Sequence, residues 1–273
     1  MIKSIIICFS LVFAMPVLAN NEEFTLSGAI EQGGFVLGKT SHVNTVLFDN
    51  KPLALSTTGH FVLGFGRDDT NKHSLVIKKP DGTTFVKSLT PKTRQYKIQR
   101  VEGIAKKIMK PNPKSVARAK KDSAQVKLAR TTLSNSLAFS QGFIAPIKGT
   151  ITGVYGSQRY YNGEPKSPHY GLDYAGKKGD PVKAPADGII ILFEPDMFYS
   201  GGTMIIDHGH GITSSFLHLS NSYVNVGDKV SKGQVVAAVG SSGRATGPHL
   251  DWRINWFQIR LDPMLVLNTR PIK

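Results

Sequence analysis

From Gln141 to about Val266 the chain places its apolar residues in short runs broken by glycine and proline. That pattern admits strands and leaves little room for helices. Asp180-Pro-Val-Lys-Ala-Pro-Ala-Asp-Gly-Ile-Ile-Ile reads as a turn, a strand, a turn and a strand. Thr203-Met-Ile-Ile-Asp-His, Thr213-Ser-Ser-Phe-Leu-His-Leu, Gln234-Val-Val-Ala-Ala-Val and His249-Leu-Asp-Trp-Arg-Ile supply further strands. Gly227-Asp-Lys-Val-Ser-Lys-Gly-Gln is a polar turn between two of them. The expectation is a strand-rich domain over residues 139–270.

Residues 22–98 repeat the theme on a smaller scale. Phe24-Thr-Leu-Ser-Gly, Thr45-Val-Leu-Phe, Gly59-His-Phe-Val-Leu-Gly-Phe and Ser74-Leu-Val-Ile-Lys are strand candidates, with Asp49-Asn-Lys-Pro and Pro80-Asp-Gly-Thr as turns. Such spacing predicts a small, immunoglobulin-like β-sandwich. His42, His60 and His73 lack metal-ligand spacing and read as surface or packing residues.

Residues 99–138 differ in composition. Lys106, Lys107, Lys110, Lys114, Arg118, Lys120, Lys121, Lys127 and Arg130 face only Glu102 and Asp122. Residues 115–134 lack Pro and Gly, which predicts a partly helical linker. Its charge suits an electrostatic tether to an anionic wall or membrane surface, or a solvated linker. The weak apolar stripe favours the linker.

The N-terminus narrows the setting. One early lysine, an apolar run from Ile5 to Leu18 and the small residues Val17 and Ala19 predict a secretory signal peptide over residues 1–19. Such a segment implies export to the periplasm or cell envelope. Cys8, the one cysteine of the chain, lies inside that segment. Any metal must then be held by His, Asp or Glu. The net charge of +15 argues for attraction to polyanions, and export turns that preference from nucleic acid toward the wall and lipid head groups.

Three segments carry potential chemistry. His169-Tyr-Gly-Leu-Asp173 puts an imidazole and a carboxylate on one face if it is extended. His249-Leu-Asp251 does the same at a spacing of two. His218, in Phe216-Leu-His-Leu, sits in an apolar strand and becomes an acid–base candidate only near a metal. His208 and His210, in Asp207-His-Gly-His-Gly, read as turn residues and are the competitors for a place in the site. No His-Glu-x-x-His occurs, so histidines must move the protons if the chain hydrolyses an amide.

These segments in this order resemble the M23 (LytM/lysostaphin-like) family of zinc peptidoglycan endopeptidases. The likeness runs over about residues 143–265 and includes Gly179-Asp-Pro-Val-Lys-Ala-Pro-Ala-Asp-Gly and Val239-Gly-Ser-Ser-Gly-Arg-Ala-Thr-Gly-Pro-His-Leu. It implies a twisted antiparallel sheet forming a groove, with peptidoglycan as substrate and one Zn²⁺ as cofactor. By the same resemblance, His169 and Asp173 are metal ligands and His218 and His249 are catalytic. The third family ligand is the second His of a His-x-His, and Asp251 stands there instead. Two readings compete. In one, Asp251 ligates the metal, with a tilt toward harder divalent ions. In the other, the metal site is lost and the domain binds the wall or activates an amidase. The first is favoured because a carboxylate is itself a competent ligand. Tyr155, Arg159 and Tyr170 are candidate groove residues.

Overall fold

The computed structural model describes residues 23–103 and 112–272. The expected signal segment with Cys8, and Lys106, Lys107 and Lys110 of the basic run, lie outside these residues.

Seven strands build the N-terminal part: β1 (Phe24–Gly28), β2 (Phe35–Thr40), β3 (Thr45–Phe48), β4 (Lys51–Pro52), β5 (His60–Gly64), β6 (His73–Lys78) and β7 (Thr84–Leu89). They form two antiparallel sheets, β1-β2-β5 and β4-β3-β6-β7. Phe35, Leu37, Phe61 and Leu63 from the first share a core with Val46, Leu75 and Ile77 from the second. This is the expected small sandwich. The Asp49-Asn50 turn has both residues at positive φ, 49° and 62°, as a tight two-residue hairpin requires. β2 and β7 are additions to the strands that alternation picks out. β2 is buried on both faces, so it shows no alternation, and β7 is largely polar and exposed.

The rest of the chain contributes β8 (Ile98–Val101), α1 (Pro113–Ala129), β9 (Ile151–Gly153), β10 (Gln158–Tyr161), β11 (Glu164–Pro165), β12 (Leu172–Ala175), β13 (Pro181–Lys183), β14 (Gly188–Met197), β15 (Gly201–Gly209), β16 (Ile212–Ser222), β17 (Lys229–Val230), β18 (Val235–Val239), β19 (His249–Trp256), β20 (Ile259–Leu261) and α2 (Pro263–Asn268). The main antiparallel sheet runs β17-β14-β15-β16-β19-β12-β9. Its register decides which side chains meet. Asp173 lies opposite Asp251, Leu217 opposite Asp251 on the other side, and Ser215 opposite Arg253. Alternation then gives β19 two characters. Leu250, Trp252 and Ile254 are buried in the core with Phe216, and His249, Asp251 and Arg253 occupy the opposite face.

Residues 99–103 and 112–138 are tied to the β-rich parts. β8 pairs in parallel with β10, so the chain joins the C-terminal part at Ile98. Asn112 caps α1 by accepting from the Ser115 N–H at 2.8 Å, with Pro113 next to it. α1 buries no residue, as its weak apolar stripe implied. It is held at the sheet rim by polar bonds: Arg118 to Asp196 at 2.7 Å, the Phe198 N–H to Asp122 at 2.7 Å, and Gln258 to the Lys127 carbonyl at 3.0 Å. Beyond it, the Ser134 carbonyl accepts from the His210 N–H at 3.0 Å, and Phe139 is fully buried. Among the described residues no helix is long and apolar enough to cross a membrane.

The sandwich packs on the large sheet. Phe48 meets Trp256 edge-on at 6.1 Å, and Arg94 pairs with Asp262 at 2.8 Å. His60 is a packing residue whose Nε2 lies 3.0 Å from the Ile272 carbonyl. His73 stacks on Phe48 at 5.1 Å and lies between Asp49, at 2.6 Å, and Asp69, at 3.0 Å. Burial alone would lower its pKa, but hydrogen bonds and charge from the two carboxylates outweigh it and raise the imidazole above its ordinary 6.5. A group raised on folding stabilises fully below its unfolded value and loses that contribution as pH rises through the folded one. Replacing His73 by Gln should therefore lower Tm most below pH 6.5 and progressively less above it. Thermal melts of both proteins across that range check this, and a pH-independent gap would refute it.

Candidate metal centre

His169 lies before β12 rather than in it, since the strand begins at Leu172. Extended-strand alternation is therefore not what joins it to Asp173. A backbone clamp does so: the Gly156 N–H donates to the His169 carbonyl at 2.7 Å, and the His169 N–H to the Ser157 carbonyl at 2.9 Å. The clamp sets His169 Nε2 3.1 Å from Asp173 Oδ1. Both atoms are buried, and neither makes a hydrogen bond. Two buried polar atoms facing one another without a hydrogen bond are a costly arrangement that a cation would satisfy.

Asp251 completes the group. One ligand atom from each of His169, Asp173 and Asp251 falls within 4.8 Å of the others, and all three residues are buried. An imidazole and two carboxylates suit a divalent ion. Two glycines make room for them. A Cβ on Gly171 would stand 2.0 Å from Asp251 Oδ1, and one on Gly153 would stand 2.2 Å from Asp173 Oδ2.

Asp251 has a partner that the sequence motifs do not include. Arg253 Nε donates to Oδ1 at 3.0 Å and to Oδ2 at 3.1 Å, and Nη2 also donates to Oδ2. Burial pushes the Asp251 carboxyl up, but the Arg253 charge and hydrogen bonds outweigh it and hold the group well below the usual carboxylate range. Oδ1 accepts one bond from Arg253 and keeps a lone pair for a metal. A signal for this pairing exists in the sequence, because residues 251 and 253 share a face at strand spacing.

Two histidines stand beside the donors, with ring centroids 4.8 Å apart. His218 Nδ1 lies 2.8 Å from the Ser242 carbonyl, and His249 Nδ1 lies 2.8 Å from the Gly247 carbonyl. A carbonyl only accepts, so each Nδ1 carries a hydrogen, and in the neutral ring each Nε2 is left with its lone pair. His218 takes a left-handed backbone, φ 64°, uncommon for a residue with a Cβ. The β15–β16 and β16–β18 ladders both shift register around Leu219, and such irregularities re-aim side chains. Burial lowers the His218 pKa, which favours a neutral ring at neutral pH.

The competitors fall outside the site. His208 is fully buried, with Nδ1 2.7 Å from the Asp187 carbonyl and Nε2 2.8 Å from Ser214 Oγ. His210 turns the chain at φ 51° and reaches the Ala54 carbonyl.

The donors open into a cleft of about 1560 Å³, lined also by Arg159, Tyr170, Tyr199, Arg244 and Arg260 and walled on one side by α1. Arg159 and Tyr170 thus line this cleft. Tyr155 does not. It is 3% exposed, packs edge-on against Tyr96 and Tyr170, and donates its hydroxyl to the Arg260 carbonyl at 2.8 Å. It supports the wall from behind, because its apolar ring is better buried than wet.

A buried His–Asp–Asp donor set beside two histidines in a strand-walled cleft is suited to holding a divalent metal ion. Residues 167–263 match the family model for Peptidase family M23, so this span carries an M23-type domain. The stretch is similar to the peptidoglycan DD-endopeptidase ShyA of Vibrio cholerae, 39% identical over 88 residues, 32% of this chain and 20% of ShyA. It is also similar to the DD-carboxypeptidase/endopeptidase Mpg of Neisseria meningitidis, 42% identical over 89 residues, again 32% and 20% of the two chains. The match thus spans about a fifth of the length of these relatives. A crystal structure of a candidate M23 peptidase from Pseudomonas aeruginosa superposes with a TM-score of 0.66 at 26% identity, covering 87% of this chain and 94% of that one. That likeness takes in the N-terminal sandwich as well as the domain bearing the site.

Alanine at Gly171 or Gly153 should push a ligand carboxylate aside without unfolding the sheet. The expected loss is about 10- to 100-fold in metal affinity, the range for disturbing groups that position metal ligands. Metal titration of each variant, alongside its Tm, checks this. Unchanged affinity in both variants would show that the carboxylates do not hold a metal.

Proposed function

We propose that this chain is an exported, metal-dependent endopeptidase that hydrolyses peptide cross-links of peptidoglycan, with Zn²⁺ as the ion. The observation that carries the reading is the meeting of His169 Nε2 and Asp173 Oδ1, two buried and unpartnered donors beside Asp251. The names of ShyA and Mpg direct it toward a D,D-amide in the wall. Residues 1–19 serve as the signal peptide and place the enzyme in the periplasm. Residues 22–98 and 139–270 are its two domains, and the basic segment between them offers charge to an anionic wall or membrane.

His169, Asp173 and Asp251 would hold the metal. When bound, that ion supplies a Lewis acid to the scissile carbonyl and lowers the pKa of an attacking water. The other residues move protons and fix geometry. His218, neutral and with its Nδ1–H spent on Ser242, offers Nε2 to take the proton of the water and later return it to the leaving amine. His249 is fixed in the same tautomer by Gly247, and its Nε2 faces the same space to orient the water. Asp251 stays ionised because Arg253 answers its charge. With the two aspartates and Arg253 counted, the cluster carries one net negative charge. One aspartate and two neutral imidazoles carry the same. On this ground Asp251 can stand where the family has histidine without making the centre more anionic.

The test joins metal content to turnover. Purified full chain should carry about one Zn²⁺ and release soluble fragments from sacculi. Asp251→Ala should lower metal content. His218→Ala should keep the metal and lose about 10²- to 10⁴-fold in rate, the usual worth of a positioned acid–base group. Protein that stays metal-free and inert with Zn²⁺ added would overturn the proposal and leave a wall-binding or amidase-activating module in its place.

A further inference from the structure

Arg130, just past the end of α1, is 9% exposed and reaches Ser215 Oγ through Nη2 at 3.0 Å. Its Nε is buried and makes no hydrogen bond. Ser215 lies directly opposite Arg253 across β16 and β19, so Arg130 sits on the face that carries Asp251. Arg260, from β20, completes the group. Its guanidinium lies 4.1 Å from the centroid of the Tyr170 ring, within the cleft lining. Arg253 is balanced by Asp251. Among the described residues neither Arg130 nor Arg260 has a carboxylate at ion-pair distance.

Burial and the charges of Arg253 and Arg260 push the Arg130 guanidinium down to about 9. A guanidinium does not give up its proton in a protein, so the strain is relieved by an anion rather than by neutralisation. A planar cation held by one hydroxyl, with an N–H to spare and a second guanidinium over a tyrosine ring, matches the bidentate geometry of a carboxylate.

We infer that Arg130 and Arg260 form a carboxylate-binding subsite of the cleft, and that it selects peptides carrying a free carboxylate near the scissile amide. The inference rests on reading the neighbouring centre as a peptidase, and it adds a substrate requirement to that reading. It also gives the end of the basic segment a place in the binding site. Arg130 and Arg260 are specificity residues. Neither touches the reacting atoms.

The experiment compares two forms of one cross-linked muropeptide, with its free carboxylates intact or amidated. Binding to the full chain without added metal is read by calorimetry, and cleavage of the same pair by the Zn²⁺-loaded chain. Amidation should weaken binding about 10- to 100-fold, the range of one to two charge-assisted hydrogen bonds at 1.4 kcal/mol per tenfold. It should raise KM with little change in kcat. Arg260→Gln should lose the preference at unchanged metal content, and Arg130→Gln should lose it too. Because Arg130 is buried and its variant could misfold, the exposed Arg260 carries the decision. Equal binding of both peptides by the unaltered chain would overturn the inference while leaving the peptidase reading intact. Selective binding with no cleavage would sustain the subsite and sink the peptidase reading. Inorganic phosphate competing as well as the carboxylate peptide would show a general anion trap and overturn the assignment.

Discussion

The ion pair of Asp251 and Arg253 is the interaction on which the centre depends. A carboxylate in this place faces a second one, Asp173, directly across the β12–β19 ladder. Two like charges in a buried site repel, and one would take up a proton if nothing answered it. Arg253, two residues along the same strand, supplies the answer from the same face. The carboxylate then stays ionised at neutral pH and free to hold a cation. Removing the guanidinium would leave a charge buried and unpaired, which costs far more than the pair itself contributes.

That pair exists because β19 keeps strict alternation. Its inward residues, Leu250, Trp252 and Ile254, fasten the strand to Phe216 and Leu172 in the core. Once they are fixed, His249, Asp251 and Arg253 have nowhere to point but the cleft. A slip of one residue would bury three polar groups and expose a tryptophan, so the apolar half of the strand enforces the register of the chemical half. The glycines act from the other side. Gly153 and Gly171 are the close approaches that let the two carboxylates fit.

Much of this is legible in the sequence. Strand patterning places both β-rich parts, and ligand chemistry together with the family resemblance names His169, Asp173, His218, His249 and Asp251. What escapes it is of two kinds. β2 is buried on both faces and β7 is mostly exposed, so neither alternates, and alternation is the signal that marks a strand. The other kind depends on contacts between distant segments. The clamp of Gly156 and Ser157 on His169, the Ser242 carbonyl behind His218, and Arg130 resting on Ser215 join residues far apart in the chain. Periodicity cannot see them. Tyr155 goes astray for the same reason, since an aromatic beside a groove motif can face either way until its packing partners are known. Arg253 alone is within reach, by the parity argument that places Asp251.

The arginines of the cleft divide by what answers their charge. Arg253 meets an internal carboxylate, so its charge is settled within the fold and serves the centre. Among the described residues Arg130 and Arg260 meet none, and their charge is left for whatever enters. The division reflects origin as well as position. Arg253 belongs to the strand that carries Asp251. Arg130 arrives from the segment between the two β-rich parts and rests on the sheet through a single serine. A buried, half-satisfied polar contact of that kind contributes little to folding and is costly to keep without an anion. Its presence is easier to account for by what the cleft must recognise than by what the fold needs to stand.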